Sequence, residues 1–232
     1  METHYYTKQQ NRLVGGHRQM MKIGQPLIAD KIGPELASEV ARESLHEFTR
    51  LIPEIPYIGG KDNPLTDTLI QMTSMLALYR PLKAHLPVDE IGDLTYRMAR
   101  AWIDRYPRLF RHLVGRFYMS GYMRRRKQKQ ALRSQSRRYP GDFVFEYVEG
   151  DAPAYDWGIN YLECAVVKFF ADQGASDLTP YMCRIDFLLF PALGITLRRT
   201  TTRAGGCAHC DFRFKWGGLA AEENSSGLLE IN

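Results

Sequence analysis

No apolar run in the 232-residue sequence reaches the length of about 18 residues that a membrane-spanning helix needs. The amino terminus also lacks a basic end followed by an apolar core, which is the pattern of a secretory signal peptide. The sequence therefore predicts a cytoplasmic protein without a membrane partner. In that reducing compartment, cysteines act as free thiols, metal ligands or nucleophiles more often than they form disulfides.

Cysteine is absent from the first 163 residues, and all four cysteines lie in the last third of the chain, at Cys164, Cys183, Cys207 and Cys210. This asymmetry indicates that any chemistry belongs to the C-terminal part. We predict a catalytic region at 140–218. Residues 1–139 are predicted to serve as a scaffold, a cover over the site or an oligomer interface, and residues 219–232 are predicted to be a flexible tail.

Apolar residues at helical spacing, interrupted by proline and glycine, predict several helices within residues 1–139. Pro34 suits the first position of a helix, and Glu35 suits the positive end of the helix dipole. Thr66 or Asp67 is expected to cap a later helix. The first predicted helix ends near Met21, and the second starts at Pro34 and is followed by a loop at 53–64. A third helix follows that loop. Two further helices are predicted from Pro87 to Tyr106 and from Leu109 to Ser136.

Aromatic and β-branched residues become frequent after Gly141, which favours strands. The predicted elements are a strand at 142–149, a helix at 157–173, and strands at 180–190, 194–203 and 211–216. Short connections favour antiparallel pairing. The predicted fold is therefore α+β, with a helical N-terminal half followed by an antiparallel sheet on which one helix packs.

A basic run from Met123 to Arg138 is the other feature of the composition, since the formal net charge of the whole chain is only +5. Such a run binds nucleic acid or an anionic surface in some proteins. It also occurs at solvated helix ends, where Lys and Arg favour the negative end of the dipole. No interleaved aromatic residues or recognition motif accompany the run, so we predict a solvated helix and no nucleic-acid partner.

Polar residues of four predicted elements could meet near the turn at Gly205 and Gly206. Asp186 lies within an apolar segment, where a carboxylate is costly to bury unless it is paired, and Arg199 is a possible partner. The full set of candidates is Asn160, Cys164, Cys183, Asp186, Arg198, Arg199, Thr200, Cys207, His209 and Cys210.

Three interpretations of the cysteines remain open at this point. A thiolate at Cys210, Cys183 or Cys164 could attack a carbonyl or amidine carbon. Cys207 and Cys210 also have the spacing of zinc ligands, and Cys164 or Cys183 could complete such a site, although one such pair is a weak signal. Free cysteines also serve as small buried hydrophobic residues.

Three segments of the sequence resemble the L-2-amino-thiazoline-4-carboxylic acid hydrolase family. They are N-Y-L-E-C at 160–164, P-Y-M-C-R-I-D at 180–186, and R-R-T-T-T-R-A-G-G-C-A-H-C-D-F-R-F at 198–214. The resemblance extends over about residues 64–217. Cys207 is not part of the family pattern, which weakens the zinc interpretation.

The resemblance implies a hydrolase acting on C–N bonds of small cyclic substrates, without a cofactor or metal. The type member opens a thiazoline ring on a bacterial route to L-cysteine. The roles that we expect on this basis are a nucleophile at Cys210, Cys183 or Cys164; a base or orienting group at Asp186; a carboxylate partner at Arg198 or Arg199; an oxyanion donor at Asn160; and further substrate contacts at Thr200 and His209. The alternative is a non-catalytic ligand-binding or zinc-stabilised protein, and either protein could be a homo-oligomer.

Overall fold

The computed structural model describes residues 4–217. The chain divides into two compact units, and each unit combines two stretches of sequence: Met1–Trp102 with Ala165–Met182, and Ile103–Cys164 with Cys183–Asn232. The tail predicted at 219–232 lies outside the described residues. No helix between residues 4 and 217 has the length and apolar character that crossing a membrane requires.

The described part of the chain contains nine α-helices and four strands. In chain order they are α1 (Gln10–Ile32), α2 (Pro34–Leu51), α3 (Thr66–Lys83), α4 (Val88–Asp104), α5 (Arg108–Tyr118), α6 (Gly121–Ser134), β1 (Val144–Asp151), β2 (Tyr155–Glu163), α7 (Ala165–Asp172), α8 (Thr179–Arg184), α9 (Asp186–Ala192), β3 (Ile195–Arg198) and β4 (Cys210–Trp216). Short 3-10 turns lie at Thr7–Gln9, Ile52–Glu54 and Gly60–Asp62.

The first unit is helical, and α2 shows how its sequence produces its core. Pro34 occupies the first turn directly after Gly33, whose φ of 86° suits glycine and ends α1. The residues that α2 buries recur every three or four positions, so that one side of the helix faces the core; they are Ala37, Val40, Ser44, Phe48 and Leu51.

The second unit contains the sheet, whose strand order is β1-β2-β4-β3 with every neighbouring pair antiparallel. One face of the sheet carries aromatic side chains. On this face Trp157 of β2 lies directly opposite Phe214 of β4, and both are almost fully buried. Tyr118 at the end of α5 contacts both of these rings and also Phe190 of α9. This aromatic face is the core of the second unit.

The predicted α+β class is confirmed, as are several elements. The strands predicted at 142–149 and 211–216 correspond to β1 and β4, and the helix predicted from Pro34 is α2. The predicted third strand is shorter than expected, since β3 ends at Arg198.

The helix predicted at 157–173 and the strand predicted at 180–190 are wrong. The first range contains the central strand β2, which pairs with β1 on one side and β4 on the other, followed by α7. The second range contains α8 and α9. A short segment that is apolar on all sides fits a buried helix and a buried strand equally well, so its periodicity could not decide between them.

Other features of the helices also differ from expectation. The predicted helix 109–136 is divided into α5 and α6, because the Ser120 side chain caps α6 by accepting a bond from the Met123 N–H at 3.4 Å. Helix α1 continues through Pro26, and α3 continues through Pro81. Thr66 does not cap α3; its hydroxyl donates instead to the Gly60 carbonyl at 2.7 Å.

Candidate active site

The alternation of side chains along the sheet brings the candidate Cys210 and its neighbour Tyr161 to the aromatic face. Tyr161 of β2 lies directly opposite Cys210 of β4, so both side chains leave the sheet on the same side as Phe212. The Tyr161 and Phe212 rings are 5.4 Å apart. This end of the aromatic face is where the other candidate side chains gather.

Arg199 follows β3 directly and forms the centre of the cluster. Its Nη1 donates to Oδ2 of Asp186 at 2.6 Å, and its Nη2 donates to the Cys183 carbonyl at 2.8 Å. The guanidinium therefore joins the loop after β3 to the α8–α9 segment. Arg199 is therefore the partner of Asp186, as the sequence predicted. Its bond to the Cys183 carbonyl also links this pair to the backbone of a third candidate residue.

Aromatic rings enclose the Arg199 guanidinium from two sides. Its centre lies 4.8 Å from the Phe187 ring and 4.9 Å from the Phe212 ring, which is the geometry of cation–π contacts. The side chain is only 1% exposed, and its Nε has no hydrogen-bond partner in the structure. A buried donor without a partner is costly, and such donors often mark a place where a ligand or water binds.

Asp186 is held at one oxygen only. Burial raises the pKa of its carboxyl group, while the nearby Arg199 guanidinium opposes that rise. Its side chain remains 33% exposed, and within residues 4–217 only the Oδ2 atom has a hydrogen-bond donor. The Oδ1 atom is therefore free to accept a proton or to orient a small molecule.

Two of the four thiols, Cys183 and Cys210, interact with this ion pair, and Cys164 interacts with Cys183. Burial raises the pKa of the Cys183 thiol, Arg199 opposes the rise, and the thiols of Cys164 and Cys210 reinforce it together with the Asp186 carboxylate. Within the described residues, Cys164, Cys183 and Cys210 form no disulfide. The structure thus brings together the three cysteines that the sequence proposed as nucleophiles.

Cys210 differs from Cys183 in having a direct donor. The backbone N–H of Arg203 donates to its sulfur at 3.1 Å. Burial, with a smaller contribution from Asp186, raises the pKa of the Cys210 thiol above its ordinary value, and this backbone bond and the guanidiniums of Arg199 and Arg203 offset only part of the rise. Arg203 is a site residue that the sequence analysis missed, because a backbone donor leaves no signal in residue type.

Two tyrosines of the cluster were also missed. Burial raises the pKa of Tyr161, and the neighbouring Tyr118, Asp186, Cys164 and Cys210 add to the rise. Burial likewise raises the pKa of Tyr118, with a further contribution from Asp186. Both phenols are therefore protonated at neutral pH and able to donate. Tyr161 could have been noted in N-Y-L-E-C, had that segment been assigned to a strand.

Asp211 has a different task from Asp186. Its carboxylate accepts backbone bonds from Thr200 at 2.8 Å and Thr201 at 2.6 Å, and it also accepts bonds from both threonine hydroxyls. Burial acts to raise the pKa of Asp211, but these four bonds outweigh burial and lower it. Asp211 therefore fixes the path of the chain directly after Arg199, and the Thr200 hydroxyl is used inside the loop.

Among the described residues, none of the other predicted site residues makes a hydrogen bond with the Asp186–Arg199 pair or with the clustered thiols. Asn160 and Arg198 occupy the opposite sheet face, where Asn160 accepts a bond from Arg213 at 3.0 Å and Arg198 is exposed. His209 is half-buried, and no hydrogen bond to its side chain is found among the described residues. Cys207 is a half-buried thiol in the loop before β4.

Metal ligands are not grouped in the described part of the chain. Between residues 4 and 217, no set of three or more His, Cys, Asp or Glu side chains has an arrangement that could hold a metal ion. The Cys207–Cys210 spacing that suggested zinc therefore has no matching arrangement of further ligands in the structure.

Comparison with known proteins identifies the family. Residues 68–214 match the family model of L-2-amino-thiazoline-4-carboxylic acid hydrolase, and this range contains every member of the cluster. The chain therefore belongs to that family, whose name is that of a hydrolase with a small-molecule substrate. No curated protein and no solved structure shows a significant match to the chain.

Proposed function

We propose that this protein is a hydrolase that opens a small heterocycle, or a cyclic amide or amidine, at a C–N bond through a cysteine nucleophile. The observation that carries the proposal is the meeting of three thiols with the Asp186–Arg199 pair at one end of the sheet. Membership of a hydrolase family supports the class of reaction.

Cys210 is the nucleophile that the local chemistry supports best. A thiolate needs donors and positive charge nearby, and Cys210 has the Arg203 N–H together with two guanidiniums. Cys183 has only Arg199 acting in that direction, against burial and three negative or thiol neighbours. We assign Cys183 and Cys164 to the walls of the site.

The reaction proceeds in two stages. The Cys210 thiolate adds to the amidine or carbonyl carbon, and the resulting tetrahedral adduct expels the ring nitrogen, which takes up a proton. Water then adds to the same carbon and the thiol leaves. The C–N bond breaks, one water is consumed, and the enzyme returns to its starting state, so the product is heavier than the substrate by one water.

Asp186 and Tyr161 provide the proton transfers in this scheme. The open Oδ1 atom of Asp186 accepts the proton of the attacking thiol or water. Tyr161 stays protonated at neutral pH and donates to the departing ring nitrogen. Tyr161 lies directly opposite Cys210 in the β2–β4 pair, and the Asp186 carboxylate acts on the Cys210 thiol, which supports placing both groups near the reacting carbon.

A substrate carboxylate is proposed to bind near Arg199 and Arg203. These are the two guanidiniums whose charge reaches Cys210, and Arg199 retains an unused buried Nε donor. Arg198 is less suitable because it is exposed on the opposite sheet face. The cytoplasmic location and a homo-oligomeric state stay predictions.

The experiment is a mass-spectrometric screen of the purified protein against small cyclic substrates that include thiazoline carboxylates. We expect a product heavier by one water, and we expect Cys210→Ala to lower turnover by several orders of magnitude with unchanged folding. Cys207→Ala is the matched control, because it removes a thiol from the same loop outside the cluster, and it should retain full turnover.

Single variants of the other two thiols complete the test. Cys164→Ala and Cys183→Ala should change KM more than kcat if they line the site. Full activity in all three cluster variants would rule out covalent catalysis by cysteine. Loss of activity in Cys183→Ala alone would move the nucleophile to that residue.

A further inference from the structure

Helix α5 exposes its apolar side. Its three turns, preceded by Tyr106, place large apolar residues three and four positions apart on one face. Their exposed fractions are Tyr106 44%, Leu109 74%, Phe110 51%, Leu113 56%, Val114 39% and Phe117 56%. We call these six residues the α5 stripe. Single exposed apolar residues are ordinary, but a continuous stripe of this kind marks an interaction surface.

The orientation of α5 is fixed by the side that faces its own unit. A Cβ atom at Gly115 would lie 2.0 Å from the Leu193 carbonyl oxygen, so only glycine allows the helix to approach this closely. Tyr118 packs among Trp157, Phe190 and Phe214. Rotating α5 to bury its stripe would break both contacts. The outward direction of the stripe is therefore part of the packing of the second unit.

The segment that contains the stripe is basic, although Asp104 directly before it pairs with Arg111 of α5 at 2.9 Å. The segment from Arg105 to Gly141 contains twelve Lys and Arg residues and no Asp or Glu, although the whole chain has a net charge of only +5. The remainder of the chain is therefore net negative. Arg108, Arg116, Arg125 and Arg126 are exposed. The protein thus concentrates basic side chains on α5, which carries the stripe, and on the next helix, α6.

A shallow recess adjoins the stripe and is lined by Arg116, Met119, Arg124 and Trp216. The Arg124 Nε is buried and has no hydrogen-bond partner in the structure. Two guanidiniums, one with an unsatisfied buried donor, suit an oxyanion such as a phosphate or a carboxylate.

We propose that the α5 stripe and the basic side chains around it dock on an anionic lipid surface, with a headgroup oxyanion in the Arg116–Arg124 recess. Apolar side chains of the stripe enter the boundary between headgroups and acyl chains. The arginines keep their charge among the headgroups while their methylene stems lie along the apolar boundary. This interpretation replaces the solvated helix end that the basic run alone predicted.

Other occupants fit these observations less well. In a two-fold dimer, the stripe of one copy would face that of the other, and the arginines around both would be brought together. Nucleic acid would satisfy the charge, but it would leave the aliphatic residues Leu109 and Leu113 without a suitable partner. An anionic bilayer matches both the charge and the apolar surface.

The test is co-sedimentation of the full chain with vesicles of phosphatidylcholine alone and of phosphatidylcholine with phosphatidylserine. We expect binding only to the anionic vesicles, weaker at high salt. Leu113→Glu should reduce binding at least about tenfold, because it puts a charge into the apolar stripe. Leu36→Glu, at another exposed leucine on α2, is the matched control and should bind like the wild type.

A second set of variants tests the contribution of the basic side chains to vesicle binding. Each Lys or Arg near an anionic surface strengthens binding by roughly fivefold, so Arg116→Gln with Arg125→Gln and Arg126→Gln should weaken binding by about a hundredfold. Arg18→Gln with Lys22→Gln changes two exposed charges on α1 and should have little effect.

Three results would overturn the proposal. The first is absence of binding to both kinds of vesicle. The second is a dimer in sedimentation velocity that Leu113→Glu dissociates, since the stripe would then serve a second copy. The third is nucleic-acid binding that Leu113→Glu leaves unchanged while vesicles bind neither protein.

Discussion

Each of the two units buries a polar cluster, and the clusters differ in how completely their polar atoms are paired. In the first unit, His17 is 2% exposed, and its two ring nitrogens contact the hydroxyls of Ser74 at 2.6 Å and Ser44 at 3.1 Å. The Phe48 ring stacks on the imidazole at 4.7 Å. Every polar atom of this ring has a partner, and none of its partners is charged.

The second unit leaves several polar atoms open. Arg199 has an unpaired Nε, Asp186 has a free carboxylate oxygen, and Cys210 has a single backbone donor on its sulfur. A buried polar cluster stabilises the fold most when all its hydrogen bonds are made. Each buried polar atom without a partner has lost its bonds to water and lowers the free energy of unfolding. The open groups of the second unit are thus better explained by a ligand than by stability. This difference separates a packing cluster from a candidate active site, and the following predictions test it.

The largest expected effect concerns the open carboxylate. Asp186→Asn removes the proposed base and leaves a group of the same shape, so we expect turnover to fall by about 10²- to 10⁴-fold. The measurement is kcat on the substrate found in the screen, with circular dichroism as a check of folding. Asp177→Asn changes a carboxylate that accepts bonds from Tyr79 and Lys83 in the first unit, and turnover should not change.

The Arg199–Asp186 pair should also affect stability. Arg199→Met leaves the Asp186 carboxylate without its cation in a largely buried place, and we expect a loss of about 2–4 kcal/mol in the free energy of unfolding. The double variant Asp186→Leu with Arg199→Met should recover most of that loss in urea titrations while remaining inactive. A double variant as unstable as the single one would show that the aromatic contacts of Arg199, rather than its charge, hold the segment.

The buried His17 of the first unit predicts that the free energy of unfolding depends on pH. Burial lowers the pKa of His17 to about 4. In the unfolded chain His17 is protonated as the pH falls through 6.5, whereas in the folded chain it is protonated only as the pH falls through about 4. The stabilisation is complete above pH 6.5 and declines as the pH falls towards 4, by roughly 3 kcal/mol at most.

The matching variant is His17→Gln, which keeps hydrogen-bonding atoms but cannot titrate. Its difference in unfolding free energy from the wild type should shrink between pH 7 and pH 4, and its turnover per folded molecule should be unchanged. His85→Gln, at an exposed histidine, should follow the wild type throughout. An equal pH dependence in wild type and His17→Gln would contradict the neutral buried state.

The smallest effect is expected at Asp211. Asp211→Asn weakens the bonds from Thr200 and Thr201, and we expect a loss of about 1–3 kcal/mol at neutral pH. Because these bonds lower the pKa of Asp211, the wild type should lose this advantage as the pH falls below the ordinary carboxyl value. Asp172→Asn, at an exposed carboxylate, is the control for thermal unfolding.

The sequence predicted which residues of the second unit come together better than it predicted their secondary structure. The pairing of Asp186 with Arg199 followed from the cost of burying a carboxylate, which does not depend on whether its segment is a helix or a strand. The three clustered cysteines followed from their position in the chain and from the family resemblance.

The parts that could not be predicted depend on long-range pairing. Trp157, Ile159 and Tyr161 alternate along β2, but Tyr161 and Cys164 also have helical spacing, and only the strands on both sides decide between the two. Because of this error, Asn160 was predicted to lie in the site. In the strand β2, side chains alternate between the two sheet faces, so Asn160 lies on the face opposite Tyr161. The donor to Cys210 is a backbone group, so residue type could not reveal it.

The contact of the Arg199 guanidinium with Phe187 and Phe212 has a consequence for protein synthesis. Asp186 and Arg199 are near neighbours in sequence and can meet early, but Phe212 and Cys210 arrive with β4. Until β4 pairs with β3, one side of the guanidinium faces water, and the ion pair is as weak as any surface pair. The guanidinium is therefore enclosed on both sides only after the last strand has left the ribosome and joined the sheet.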